Sequence, residues 1–301
     1  MEKINFKHSV IFFNFCILIS PFYLVLNFEP IILCLFLILI LGISHGALDN
    51  IKGKKLLKLF GYKSTISFYF AYILISFLII IFWMIFPNIV LFLFLIVASY
   101  HFGKEDTVFS FKKRFLISEC LFFLKGSSVI VAPLLLQRSA TNEIFKILNF
   151  NVFESTVFNN QFLIILLCLS FLSSLYISKK KSSNIKGIMF MDFSSLIILN
   201  FFLTPILAFT LYFCFLHSIR HSITLIFELD KSFKSGVKKF INRAIPLTAV
   251  TGVIFILAIF FLNNFYKLDE AIYKVIFIGL ASLTFPHILL EYLLENNEKR
   301  T

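Results

Sequence analysis

"PILAFTLYFCFLHSIRHS", residues 205–222, opens on a dozen residues apolar but for Thr210 and closes on two histidines and an arginine. The apolar part suits a hydrocarbon environment. An imidazole or guanidinium there is costly, and such groups face the interior of a bundle, where they mark a site. The stretch therefore predicts a membrane helix with chemistry at one end.

The rest of the chain agrees. It has 301 residues, 59% hydrophobic, 18% aromatic and only 15% charged, with a mean hydropathy of +0.93. A soluble domain of this length cannot hide so much apolar surface, so the expected class is an integral membrane protein. The first apolar run, Val10–Leu26, has no small-residue cleavage pattern and reads as a retained span.

A crossing needs about 20 mostly apolar residues. Candidate spans lie at 9–26, 31–49, 65–86, 88–104, 115–136, 161–177, 188–203, 205–224, 245–262 and 271–291. The fifth carries Glu119 and Lys125. The net charge of +12 sits in short clusters between these runs, which is the placement of topology signals rather than of a nucleic-acid surface. With the N-terminus inside, 22 of the 28 lysines and arginines fall on the inner side and 3 on the outer. The expected fold is an all-α polytopic bundle of about ten spans over 1–301, a single domain with both termini cytoplasmic, in the cell membrane. The loop 137–160 has room for a short surface helix.

Five histidines, His45, His101, His217, His221 and His287, fall near the cytoplasmic ends of spans 2, 4, 8 and 10. His8 lies just before the first span and reads as interfacial. His217 and His221 are spaced i, i+4, so an ideal helix puts them on one face, a spacing that suits chelation by two neutral imidazoles. Four helices delivering histidine to one layer predict a shared metal. Asp49, Glu105 and Glu291 each follow a histidine by four residues; they are candidates to accept the second ring N–H of a metal-bound imidazole, or are merely solvated acids at the boundary. Arg220 is a candidate to balance those acids, bind an oxygen anion or snorkel to water. The five cysteines form no CxxC pair, and imidazoles without thiolate suit iron(II), zinc or copper. Gly42, Gly46 and Gly103 are candidates for close helix approach.

The blocks "SHGALDN" (44–50), "SYHFGKED" (99–106), "HSIRH" (217–221) and "TFPHILLEY" (284–292) resemble, in order, those of the Brp/Blh family of β-carotene 15,15′-dioxygenases. One departure is Ser44, where the family often has proline. The resemblance implies a membrane oxygenase that splits the central double bond of β-carotene with O2 into two molecules of all-trans-retinal. It implies Fe(2+) held by His45, His101, His217 and His221, with His287 as a fifth ligand, a residue supporting the ligands, or a channel wall. Tyr100 and Phe102, which flank His101, are substrate-channel candidates. Retinal released in the bilayer is of the kind a microbial rhodopsin takes up. Two other functions stay open at this level: an oxygenase for another carotenoid or a lipid, and a non-enzymatic metal-binding factor in retinal-protein biogenesis. A metal transporter fits less well, because transport sites lie near the midplane.

Overall fold

The computed structural model describes residues 1–26, 30–61, 64–109, 116–154 and 156–298. Among the described residues there is no strand. The helices are α1 (Glu2–Leu26), α2 (Ile31–Gly42), α3 (Asp49–Leu59), α4 (Ile66–Ile85), α5 (Pro87–Glu105), α6 (Leu116–Leu136), α7 (Arg138–Ile147), α8 (Asn160–Ser178), α9 (Ser183–Phe202), α10 (Pro205–Leu229), α11 (Phe233–Leu262) and α12 (Leu268–Glu298). Nine of the described helices are long and apolar enough to cross a membrane, which marks the chain as a membrane protein.

The second expected span, 31–49, is a shorter apolar helix, Ile31–Gly42. It widens into a π turn at Ile38–Gly42 and gives way to a tight 3-10 turn at Ser44–Leu48. The ninth span begins earlier than hydropathy suggests. Lys234, Lys238, Lys239 and Arg243 are too polar for hydrocarbon, yet they are good helix formers and continue α11 back to Phe233. The expected surface helix in 137–160 is α7, whose Arg138 Nη2 donates to the carbonyl of Phe158 at 2.6 Å.

Two compact units emerge, each built from two stretches of chain. The first comprises Met1–Ile38 and Leu95–Thr224. Lipid tails are as apolar as leucine, so helices in a bilayer associate through close packing and interhelical hydrogen bonds rather than through exclusion of water. This unit uses both. A Cβ at Gly103 of α5 would lie 1.8 Å from the carbonyl oxygen of Phe122, and one at Gly126 of α6 would lie 1.9 Å from that of Ser99. Only two facing glycines allow that approach. Across α6 and α8 run buried serines, where Ser170 Oγ donates to the carbonyl of Lys125 at 2.8 Å. Buried Lys125 donates to Thr107 Oγ1 at 2.9 Å, tying α6 to the end of α5.

The second unit comprises Leu39–Phe94 and the chain from Leu225 onward. Here α12 packs on α3, α4 and α11. Gly279 of α12 receives the ring of Phe255 from α11, where a Cβ would come within 2.2 Å. A small core joins Leu48 to Leu225, Ile226, Phe240 and Ala244. Asp230 starts α11: it accepts from Ser232 N at 2.8 Å, Ser235 Oγ at 2.7 Å and Lys239 Nζ at 2.6 Å. Those donors, Lys239 foremost, hold its carboxyl well below the usual carboxylate range. Gly46 is not pressed by a neighbour among the described residues, since a Cβ there meets only Asp49 Oδ2 at 4.0 Å.

Candidate metal centre

In the first unit the chemistry gathers where α10 meets the end of α5. The π turn Tyr212–Ser218 interrupts α10. On an ideal α-helix Tyr212 and His217 would point about 140° apart, but a π turn closes over five residues and brings them onto one face. Both reach the same carboxylate. Tyr212 Oη donates to Asp106 Oδ2 at 2.5 Å, and His217 Nδ1 donates to Asp106 Oδ1 at 2.9 Å. The next acid inward, Glu105, has Oε2 at 3.3 Å from His221 Nδ1. The two histidines of "HSIRH" thus face consecutive acids of "SYHFGKED". Burial alone would push the Asp106 carboxyl up. The His217 ring, Arg220 and Lys125 outweigh it and hold the group well below the usual carboxylate range, so it stays ionised and accepts both bonds.

Aromatic rings enclose His217, which is 1% exposed. Phe102 meets it edge-on at 4.8 Å between centroids, Phe213 stacks on it at 5.8 Å, and His101 lies at 5.2 Å. Phe102, a channel candidate, is therefore packed against the histidine ring itself. Tyr100, the other, donates a hydrogen bond to Glu119 of α6. Water is kept from the ring and the local dielectric is low, which strengthens the hydrogen bond to Asp106.

Arg220, a candidate to balance charge or to snorkel, is paired within the first unit with an acid that sequence reasoning did not single out. It is 3% exposed and forks onto Asp192 of α9, with Nη1 at 2.6 Å from Oδ2 and Nη2 at 3.0 Å from Oδ1. Ser9 of α1 joins by accepting from Nη2 at 2.8 Å and donating to Asp192 at 2.8 Å. A bidentate pair of this kind fixes orientation as well as charge. Beside it, His8 Nε2 donates to the carbonyl of Phe215 on the π turn at 2.8 Å. The segment that carries His217 and His221 is thereby anchored from α1 and α9.

In the second unit His287 of α12 is 4% exposed. Its Nδ1 lies 2.8 Å from Asp49 Oδ2 and 2.9 Å from Oδ1, and Tyr72 Oη donates to the same carboxylate at 2.9 Å. Asp49 is delivered by the first turn of α3, just after the 3-10 turn that holds His45. The side chain of His45 lies outside the described side chains. Glu291 receives Lys52 Nζ at 2.6 Å and stands 3.8 Å from His287 Nε2.

Each expected acid thus meets a basic or imidazole partner, but Asp49 and Glu105 reach theirs across helices rather than along one. Sequence reasoning missed Asp106, Asp192, Tyr72 and Tyr212. Asp192 carried a signal, since a lone carboxylate inside an apolar span asks for a buried partner. The tyrosines carried none.

Imidazole donors of this kind suit a divalent transition-metal ion, iron(II) among them. A carboxylate accepts only, so an Nδ1 hydrogen-bonded to one donates, and in a neutral ring of that kind the lone pair lies on Nε2. His217 and His287 each donate Nδ1 to a carboxylate, and His221 Nδ1 stands 3.3 Å from one, the partner a metal-bound imidazole commonly has.

Comparison with known proteins agrees. A family model described as beta-carotene 15,15'-dioxygenase matches residues 36–295. The chain is 30% identical over 261 residues to a beta-carotene 15,15'-dioxygenase from uncultured marine bacterium 66A03, covering 84% of this chain and 90% of that protein. No solved structure matches. The chain belongs to the beta-carotene 15,15'-dioxygenase family.

Proposed function

We propose that the chain is a membrane-embedded, iron(II)-dependent dioxygenase that cleaves the central 15,15′ double bond of β-carotene with O2 and releases two molecules of all-trans-retinal. The observation that carries this reading is the family match, which runs from before the His45 block to beyond His287. Its natural setting is the cell membrane with both termini cytoplasmic, as the charge placement favours. Retinal formed there is available to a microbial rhodopsin.

His45, His101, His217 and His221 would hold the ion. Bound iron(II) supplies the activation of dioxygen beside the polyene. The protein's own part is orientation and exclusion of water. Asp106 and Tyr212 hold the His217 ring in one tautomer, and Phe102 and Phe213 keep bulk water from it. Arg220, gripped by Asp192 and Ser9, keeps the histidine-bearing segment of α10 in register with α1 and α9. β-Carotene partitions into the bilayer, so the apolar helices let the enzyme take its substrate without a passage through water.

Cells that accumulate β-carotene and express the chain test this. The expected result is loss of colour with all-trans-retinal as the product. Retained colour in cells that make the folded, iron-loaded chain would overturn it.

A further inference from the structure

A π turn is rare, and an unassisted helical stretch settles into the regular α form. Something must hold Tyr212–Ser218 in the wider form, since both bonds to Asp106 depend on it. The widening disturbs the backbone at its end. On an α-helix the N–H of Ile219 would bond to the carbonyl of Phe215, but here it bonds to that of Leu216. The carbonyl of Phe215 so released is the one that His8 takes, with Nε2 donating at 2.8 Å. A carbonyl without a donor is costly inside a membrane. A donor supplied from outside the helix therefore favours the widened form over the regular one.

That donor comes from α1, which lies ahead of the matched residues 36–295. Adjacent residues of α1 grip α10 at two places. His8 takes the Phe215 carbonyl inside the π turn, and Ser9 accepts from Arg220 just beyond it at 2.8 Å. Two helical turns along α1, the ring of Phe15 packs on that of Phe215, with centroids 5.8 Å apart. α1 is itself fixed to α9. Ser182 Oγ donates to Glu2 Oε1 at 2.6 Å, and a Cβ at Gly187 would come within 2.9 Å of the Phe6 ring. The other nitrogen of His8, Nδ1, is buried and has no hydrogen-bond partner among the described residues. A histidine kept at the membrane surface for its charge would have both nitrogens in water. This one offers one donor to one carbonyl.

We infer that His8 is a positioning residue: by taking the Phe215 carbonyl it selects the π form of 212–218 over the α form, and so keeps Tyr212 and His217 together on Asp106. This deepens the proposed function, in which His217 is read as a ligand of the reacting metal. His8 acts through the backbone of α10, not on the substrate.

The test compares His8→Leu with His8→Gln in the purified full chain. Leucine removes the donor, whereas glutamine places an Nε2–H close to where the ring had one. Backbone hydrogen exchange is read on the metal-free protein, and initial rates over a range of β-carotene concentrations on the iron-loaded one. His8→Leu should speed exchange across 212–222 about 10-fold, the size expected when a buried acceptor loses its donor, and leave 183–202 on α9 as slow as before. It should lower kcat about 10-fold without moving KM, and His8→Gln should restore most of both. If His8→Leu does not fold, His8→Asn, too short to reach Phe215, takes its place. Unchanged exchange and kcat in the donorless variant would overturn the inference. So would a lower melting temperature with exchange raised evenly over α1, α9 and α10, or a glutamine variant no better than leucine. Exchange is read without metal, so it decides the role of His8 even if the chain yields no retinal. Loosening confined to 212–222 would then uphold the role of His8 while the proposed function falls.

Discussion

Helices α10 and α11 are both long and apolar enough to cross a membrane, yet they do opposite work. The less apolar of the two is the more buried: the apolar window of α10 is 67% buried, that of α11 only 6%. α10 carries His217, Arg220 and His221 inside the first unit, and each is met by an acid. α11 turns Phe260, Phe261, Val253 and Leu257 outward, where lipid is the natural neighbour. Between these two helices the more apolar one faces outward and the one carrying His217, Arg220 and His221 is enclosed. That inverts the rule for soluble proteins, and it follows from a solvent that is itself hydrocarbon.

Substitutions on the two helices should separate accordingly. His217→Ala should lower retinal formation by more than about 100-fold, beyond the loss expected from removing only a hydrogen-bond partner. A product assay on the purified chain checks it.

Next comes Asp192→Ala, which strands the buried guanidinium of Arg220. A cost of about 3–5 kcal/mol is expected, read as a large drop in the thermal midpoint. The double change Asp192→Leu with Arg220→Met should recover much of that stability, because replacing both charges removes the stranded one.

Gly103→Ala should cost about 1–3 kcal/mol, as overpacking does, since its Cβ would lie 1.8 Å from a backbone oxygen. Gly126→Ala should match it. At Gly46, where a Cβ meets nothing closer than 4.0 Å among the described residues, alanine should be tolerated, and near-equal melting of the Gly46 and Gly103 variants would break this contrast.

A smaller effect belongs to Asp230. Its carboxyl titrates lower in the folded chain than in the unfolded one, so its contribution is complete above the unfolded value of about 3.9 and fades as pH falls through the lower folded value. Asp230→Asn should remove that acid-side dependence and loosen residues 230–239 in hydrogen exchange at neutral pH. At the bottom of the scale, Phe260→Leu and Phe261→Leu on α11 should stay within about 0.5 kcal/mol and leave turnover unchanged.

How much of this was legible in the sequence differs between the two units. Hydropathy marks the long apolar helices, because a run of apolar residues can be read without knowing its neighbours. It overreads 31–49, where the helix breaks after Gly42 and turns at Ser44–Leu48. The acids stand out in the sequence, but their partners do not. A count of four along an α-helix links Glu105 to His101, whereas the structure sets Glu105 beside His221. The π turn is the reason for the rest. It changes which residues share a face, and "YFCFLHS" carries no pattern that announces it. Asp106 and Tyr212 are invisible as a pair until that turn is seen.

The most direct measurement is an iron titration of the chelator-stripped chain, following bound metal and product together. Retinal formation should be absent without metal and rise in proportion to iron up to one ion per chain, with two retinals for each β-carotene consumed. Full turnover by the stripped chain, or a plateau reached only at two ions per chain, would contradict a single histidine-held iron.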